Sequence, residues 1–141
     1  MSGTMEVRAA LNTRLTAAFP GAALTAAAVA WPNRPFEPVV GTRWYRASFL
    51  PGEPFAAGIG EHAANRHGGI FQVDVFEPVG AGEGAAITEA ERIAAVYKRD
   101  TALTYSGVIV RIEKSWVEPA MQESDWFQAP VRIQWRADVA N

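Results

Sequence analysis

Val131-Arg132-Ile133-Gln134-Trp135-Arg136-Ala137-Asp138-Val139 is the stretch from which the fold can be read. Five apolar residues alternate with four polar ones. In a strand, successive side chains point to opposite faces, so this alternation predicts a sheet with one buried and one polar face. Ile70 to Phe76 repeats the pattern, with Phe71, Val73 and Val75 against Gln72 and Asp74. Val108 to Lys114 does so again, with Val108, Val110 and Ile112 against Arg111 and Glu113. Sheets that are apolar on one side only are usually antiparallel.

Outward from these strands, two helical segments are predicted. From Thr4 to Phe19, Val7, Leu11, Leu15 and Ala18 recur every three or four residues, Ser2 or Thr4 could cap, and Pro20-Gly21 ends the run. From Ala86 to Arg99 the stripe is Ile87, Ala90, Ile93, Ala94 and Tyr97, with Thr88 and Glu91 at the spacing of a capping box. Leu24 to Trp31 reads as a short alanine-rich strand and Arg43 to Leu50 as another; Phe55 to Gly69, with no clean period, reads as a long loop. Ser106-Gly107 is a hairpin turn. Helix, strands, helix, strands, with both helices free to cover the apolar face, is a two-layer α+β domain with a mostly antiparallel sheet.

At 141 residues the chain is expected to form one domain, residues 1–141, with about two thirds of its unfolded surface buried. Apolar residues are 49% and charged residues 20%, which excludes wholesale disorder. The net charge of −2 supplies no strong positive field for nucleic acid or an anionic membrane. The absence of cysteine removes disulfides, thiolate nucleophiles and cysteine-rich metal sites. Leu15 to Ala30 imitates a secretory signal, but Pro20-Gly21 cuts the apolar run and Glu6 interrupts the basic segment. No run approaches the roughly 18 apolar residues of a membrane helix, so the chain is expected to be soluble and made in the cytoplasm.

Chemistry is thinly represented. Gly80-Ala81-Gly82-Glu83-Gly84-Ala85 matches the spacing of a dinucleotide-binding turn. The preceding strand carries Gln72 and Asp74, whereas a strand feeding such a turn is apolar on both faces, so a flexible connector is the preferred reading. Glu61-His62 and His67 lack metal-binding spacing, and nothing resembles a nucleophile elbow. No cofactor and no enzyme activity are expected. The loops are more informative. Trp31-Pro32-Asn33-Arg34-Pro35-Phe36-Glu37-Pro38 holds three prolines in eight residues and is stiff and extended. Its Trp31, Pro32, Asn33, Pro35 and Phe36, with Trp126 of a later loop, are candidate contact residues. The polar sheet face adds Arg111, Glu113, Arg132, Arg136 and Asp138, either solvated or paired across a subunit interface.

Several of these pieces, in their order, resemble the tail-terminator-like proteins of tailed bacteriophages and prophages. They are Trp31-Pro32-Asn33 with Pro35-Phe36, Trp44-Tyr45-Arg46, Phe49 to Pro54, Arg66-His67, Gly69 to Phe76, the linker Gly80 to Gly84, Gly107 to Ile112, Asp125 to Gln128 and Pro130 to Ile133. The resemblance implies a small α+β domain that assembles into a homohexameric ring. Such a ring caps the tail tube, stops further addition of tube protein and presents a surface to the head-completion or connector protein. Genomic DNA passes through its lumen without specific binding, and no membrane is involved. The expected location is the virion, with assembly in the bacterial host cytoplasm. No catalytic residue is carried over. The alternatives are a neck or head-completion protein and a small nucleotide-binding enzyme using Gly80 to Gly84.

Overall fold

The computed structural model describes residues 3–18, 29–38, 41–80 and 82–140. Helix α1 spans Thr4–Ala17 and α2 spans Glu83–Val96. The strands are β1 (Val29–Ala30), β2 (Trp44–Pro51), β3 (Phe55–Ala56), β4 (Asn65–Pro78), β5 (Ala102–Tyr105), β6 (Val108–Val117), β7 (Met121–Gln122) and β8 (Trp126–Val139). They form one sheet in the order β1-β2-β4-β8-β6-β5, with β3 added to β4 and β7 to β8. Among the described pairings only β1 with β2 is parallel. The chain is thus an α+β fold with a mostly antiparallel sheet, as the alternation predicts.

The centre is the pairing of β4 with β8, in unbroken register from Asn65 opposite Val139 to Pro78 opposite Trp126. Paired residues share a face. Phe71, Val73, Val75, Val131, Ile133 and Trp135 therefore point the same way, and all are buried. Tyr45 and Ala47 of β2 and Val110 and Ile112 of β6 extend that layer. The helices close it with Val7, Leu11 and Leu15 of α1 and Ala86, Ala90 and Ile93 of α2. The Tyr97 hydroxyl, just past α2, donates to the Leu11 carbonyl at 2.8 Å and ties the two helices together.

A buried polar cluster fixes α2 against β2 and β4. The Arg43 guanidinium pairs with Glu77, and the Tyr45 hydroxyl donates to Glu89. Arg92 forks onto both Glu89 oxygens at 2.7 and 2.8 Å and also donates to the Ala18 carbonyl at 2.9 Å. Burial pushes the Glu89 carboxyl up, but the hydrogen bonds from Arg92 and Tyr45 and the neighbouring positive charges outweigh it and hold it below the ordinary value of 4.5. Burial, reinforced by Glu89, pushes the Tyr45 phenol up to about 12.

Several local expectations are corrected. The segment from Phe55 to Gly69 is not a long loop: β4 begins at Asn65, and β3 pairs back onto it. Gly69 has a packing reason. A Cβ there would lie 2.5 Å from the Leu50 carbonyl oxygen, so only glycine lets β2 approach so closely. Phe49 and Trp135 meet across the gap it leaves, stacked at 5.6 Å. Helix α2 starts at Glu83, so Thr88 and Glu91 lie inside it and form no capping box. Its first two turns are held by burial of Ala86, Glu89 and Ala90, which overrides the weak helix propensity of Gly84. Gly3 occupies the N-cap of α1 without a side-chain cap; Ser2, Phe19, Pro20-Gly21 and most of the segment from Leu24 lie outside the described residues. Ser106 and Gly107 have φ of 50° and 84°, the geometry of a tight hairpin between β5 and β6. The glycines at 80 to 84 follow a strand antiparallel to both neighbours, which is not the setting of a dinucleotide-binding turn.

Two outcomes test this architecture. Ile133→Asp puts an unpaired carboxylate at a fully buried position and should cost several kcal/mol or prevent folding, whereas Gln134→Asp on the open face should cost under about 1 kcal/mol. Similar thermal shifts for the two would contradict the face assignment. The stability contributed by the depressed Glu89 carboxyl is fully present above the unfolded value of 4.5 and is lost as pH falls through the lower folded value. Glu89→Gln should cost about 2 kcal/mol at neutral pH and flatten the acid limb of the stability profile, measured by denaturant titration across pH.

Candidate functional site

The sheet face opposite the helices carries Arg111, Arg132, Arg136 and Asp138 of the candidate contact residues, because residues alternating with the core layer point there. At one end it presents an aromatic cluster. Trp44 and Phe76 are direct cross-strand partners and stack at 4.0 Å with an interplanar angle of 6°. Phe36 stacks on Trp44 at 5.3 Å, Trp126 meets it edge-on at 5.9 Å, and the Arg46 guanidinium lies 5.1 Å from the Phe76 ring centre. The Trp44 Nε1 is buried and has no hydrogen-bond acceptor among the described residues.

The middle of this face is covered by its own paired charges. Arg46 donates to one oxygen of the buried Asp74 at 3.0 and 3.1 Å, and Gln72 to the other at 2.8 Å. The Arg132 Nε lies 3.6 Å from Glu118, which also accepts from the Trp116 indole at 3.0 Å. Glu113, at a bulge between Ile112 and Lys114, accepts from Gln134. At the far end Arg66 forks onto Asp138 at 2.8 and 3.0 Å, and this contact, aided by the charge of Arg136, holds the Asp138 carboxyl low. Arg111 and Arg136 face each other directly across β6 and β8.

The structure thus separates the residues singled out from sequence. Phe36 and Trp126 come together through Trp44. Trp31 does not join them; it packs against the core beside Pro32 and Phe49, while Pro32, Asn33 and Pro35 are exposed on the same loop, Asn33 with φ 57°. Arg111, Glu113, Arg132, Arg136 and Asp138 share the open face, but three of the five are held within the subunit: Glu113, Arg132 and Asp138. Trp44, Phe76, Arg46 and Asp74 organise this surface and were not singled out. Their role depends on the β2–β4 register, which joins residues about 30 apart in sequence and leaves no local signal. His62 and Glu61 are 3.3 Å apart and both exposed; among the described residues no His, Asp and Glu group could hold a metal ion.

The family model for phage tail terminator protein matches residues 6–135. The chain belongs to the phage tail terminator protein family. It is therefore a structural component of a phage tail or related virion. One solved structure superposes with a TM-score of 0.71 at 25% identity, covering 99% of this chain and 96% of the other. A chain in the virion of a native gene transfer agent particle has the same fold, with a TM-score of 0.55, 21% identity and coverage of 99% and 98%. No curated protein sequence matches at a comparable level. No helix among the described residues is long and apolar enough to cross a membrane.

The aromatic cluster makes a prediction that separates surface from core. Phe36→Ala removes one outer stacking partner and should cost about 1 kcal/mol with the fold retained. Trp44→Ala removes the ring on which Phe36, Phe76 and Trp126 all pack and should cost about 3 kcal/mol. Denaturant titration with near-ultraviolet circular dichroism measures both; equal losses would make Phe36 part of the core.

Proposed function

We propose that this tail terminator caps the tail tube as a closed ring, ends tube polymerisation and presents the surface to which the head is joined. The observation that carries the reading is the unequal treatment of the two sheet faces. Both helices cover one face, and among the described residues no helix covers the other, which has an aromatic cluster at one end and two facing arginines at the other. Head-to-tail closure of a ring requires two different patches on each subunit, and this face supplies two dissimilar ends. Hexameric order is what the resemblance to tail-terminator-like proteins implies. Residues 1–141 act as a single domain whose work is geometric, with no catalytic step and no cofactor.

The partners are further copies of the chain, the tail tube protein and a head-completion or connector protein. DNA traverses the lumen without specific binding. A net charge of −2 suits that passage, since a strongly basic wall would retain a polyanion. Assembly takes place in the bacterial host cytoplasm. Ring contacts can be weak until a tube end templates them, so the isolated chain need not be a ring.

Complementation tests the proposal. In a phage lacking its own copy, the intact protein should restore tails of uniform length with heads attached, scored by electron microscopy. Phe36→Ala should fold and yet impair tail completion. Normal tails with joined heads in the complete absence of the protein would refute the reading. Tails of normal length that lack only their heads would instead indicate a neck or head-completion role.

A further inference from the structure

Arg111 and Arg136 stand together on a face where most of the other charges have a partner. They are direct cross-strand partners, and like charges so placed oppose each other. Among the described residues neither guanidinium has a hydrogen-bond or ion-pair partner. Asp138, whose carboxyl feels the charge of Arg136, is already forked by Arg66. The pair lines an open cavity of about 250 Å³ with Gly107, Ile109, Ala137 and Asp138, and Ile109 is 46% exposed.

The complementary chemistry lies at the other end of the same strand. The turn between β7 and β8 carries Glu123 and Asp125, both exposed, with no side-chain partner among the described residues. Backbone hydrogen bonds close the turn: the Glu123 N–H donates to the Trp126 carbonyl at 2.8 Å, and the Val79 N–H donates to the Asp125 carbonyl at 3.4 Å. Exposed Met121 and Val79 flank it, as Ile109 flanks the arginines. Along a 14-residue strand the two ends are roughly 40 Å apart, too far to neutralise each other within one subunit.

We infer that the Arg111–Arg136 pair receives the Glu123–Asp125 turn of a second copy of this chain, as the head-to-tail contact of the assembly. This rests on the ring reading above and names the residues that join its subunits. An incoming carboxylate pair would relieve the repulsion between the two arginines, each of which can fork onto one carboxylate. The exposed apolar side chains on both patches would be covered at the same time. Because the two patches differ, the contact repeats in one direction and fixes the order of subunits.

Charge reversal tests it. Arg111→Glu with Arg136→Glu makes both patches acidic; Glu123→Arg with Asp125→Arg makes both basic. All four positions are exposed or half-buried, so both variants should unfold near the temperature of the unmodified protein. Each alone should self-associate on the order of tenfold more weakly or worse, by native mass and on tail tubes. Mixed in equal amounts they should assemble again, alternating, because each then meets a patch of opposite charge, and the chain carrying all four reversals should assemble by itself. If the unmodified chain assembles and either reversed variant alone does so equally well, this contact is wrong while the ring reading stands. If the arginine patches instead met each other, the Glu123→Arg and Asp125→Arg variant would associate normally, which also overturns the contact. An unmodified chain that never self-associates, even on tube ends, overturns both.

Discussion

The structure depends on the antiparallel pairing of β4 and β8. Two 14-residue strands run in register over their full length and divide every side chain they carry between two faces. A slip of one residue would send Ile133 and Trp135 to the open face and Arg132 and Gln134 into the core. The core is therefore the device that holds the register. Both strands are also interior to the sheet, so each is fixed on two sides, β4 by β2 and β8 by β6.

The two faces solve different physical problems. Under the helices, apolar burial supplies the driving force, and the Arg43–Glu77 and Tyr45–Glu89–Arg92 contacts satisfy the polar groups where α2 meets the sheet. Buried ions lose hydration that their partners must replace, and here Arg43, Tyr45 and Arg92 supply those partners. Among the described residues no helix covers the other face, though Asp74, Phe76 and Gln128 on it are buried. Its long side chains lie over it, Arg46 across Phe76 and Asp74, Lys114 across Trp116, and Arg132 beside Glu118. Most charges in the middle of the face thus have a partner, while the facing Arg111 and Arg136 lie towards one end.

The chain carries no cysteine and two histidines, so its surface chemistry is dominated by arginines, carboxylates and aromatic rings. The ring proposed above requires a rigid subunit with distinct surfaces. Rigidity comes from the long central pair and from stiff connections, including the proline-rich loop before β2 and the tight turn at Ser106-Gly107. Distinct surfaces come from the length of the strands, which holds the aromatic end and the arginine end well apart.

The sequence by itself determined the alternating strands, both helices, the hairpin at Ser106-Gly107 and the buried layer, because each depends on a period or a turn chemistry visible over a few residues. Its resemblance to the tail terminator family carried the function, which no single side chain could. Local reasoning ended where partners are distant. The first residues of β4 look like loop because Gly68 and Gly69 carry no pattern, and they become strand only because β8 lies alongside to accept their hydrogen bonds. The start of α2 looks uncapped and glycine-weakened, and it forms because Ala86 and Glu89 find the sheet beneath them. The candidate contact residues read as one set in sequence, yet Phe36 meets Trp126 only through Trp44, while Trp31 turns to the core and Arg111 meets Arg136. These are non-local pairings, and only the tertiary register, set by burial across the whole sheet, could decide them.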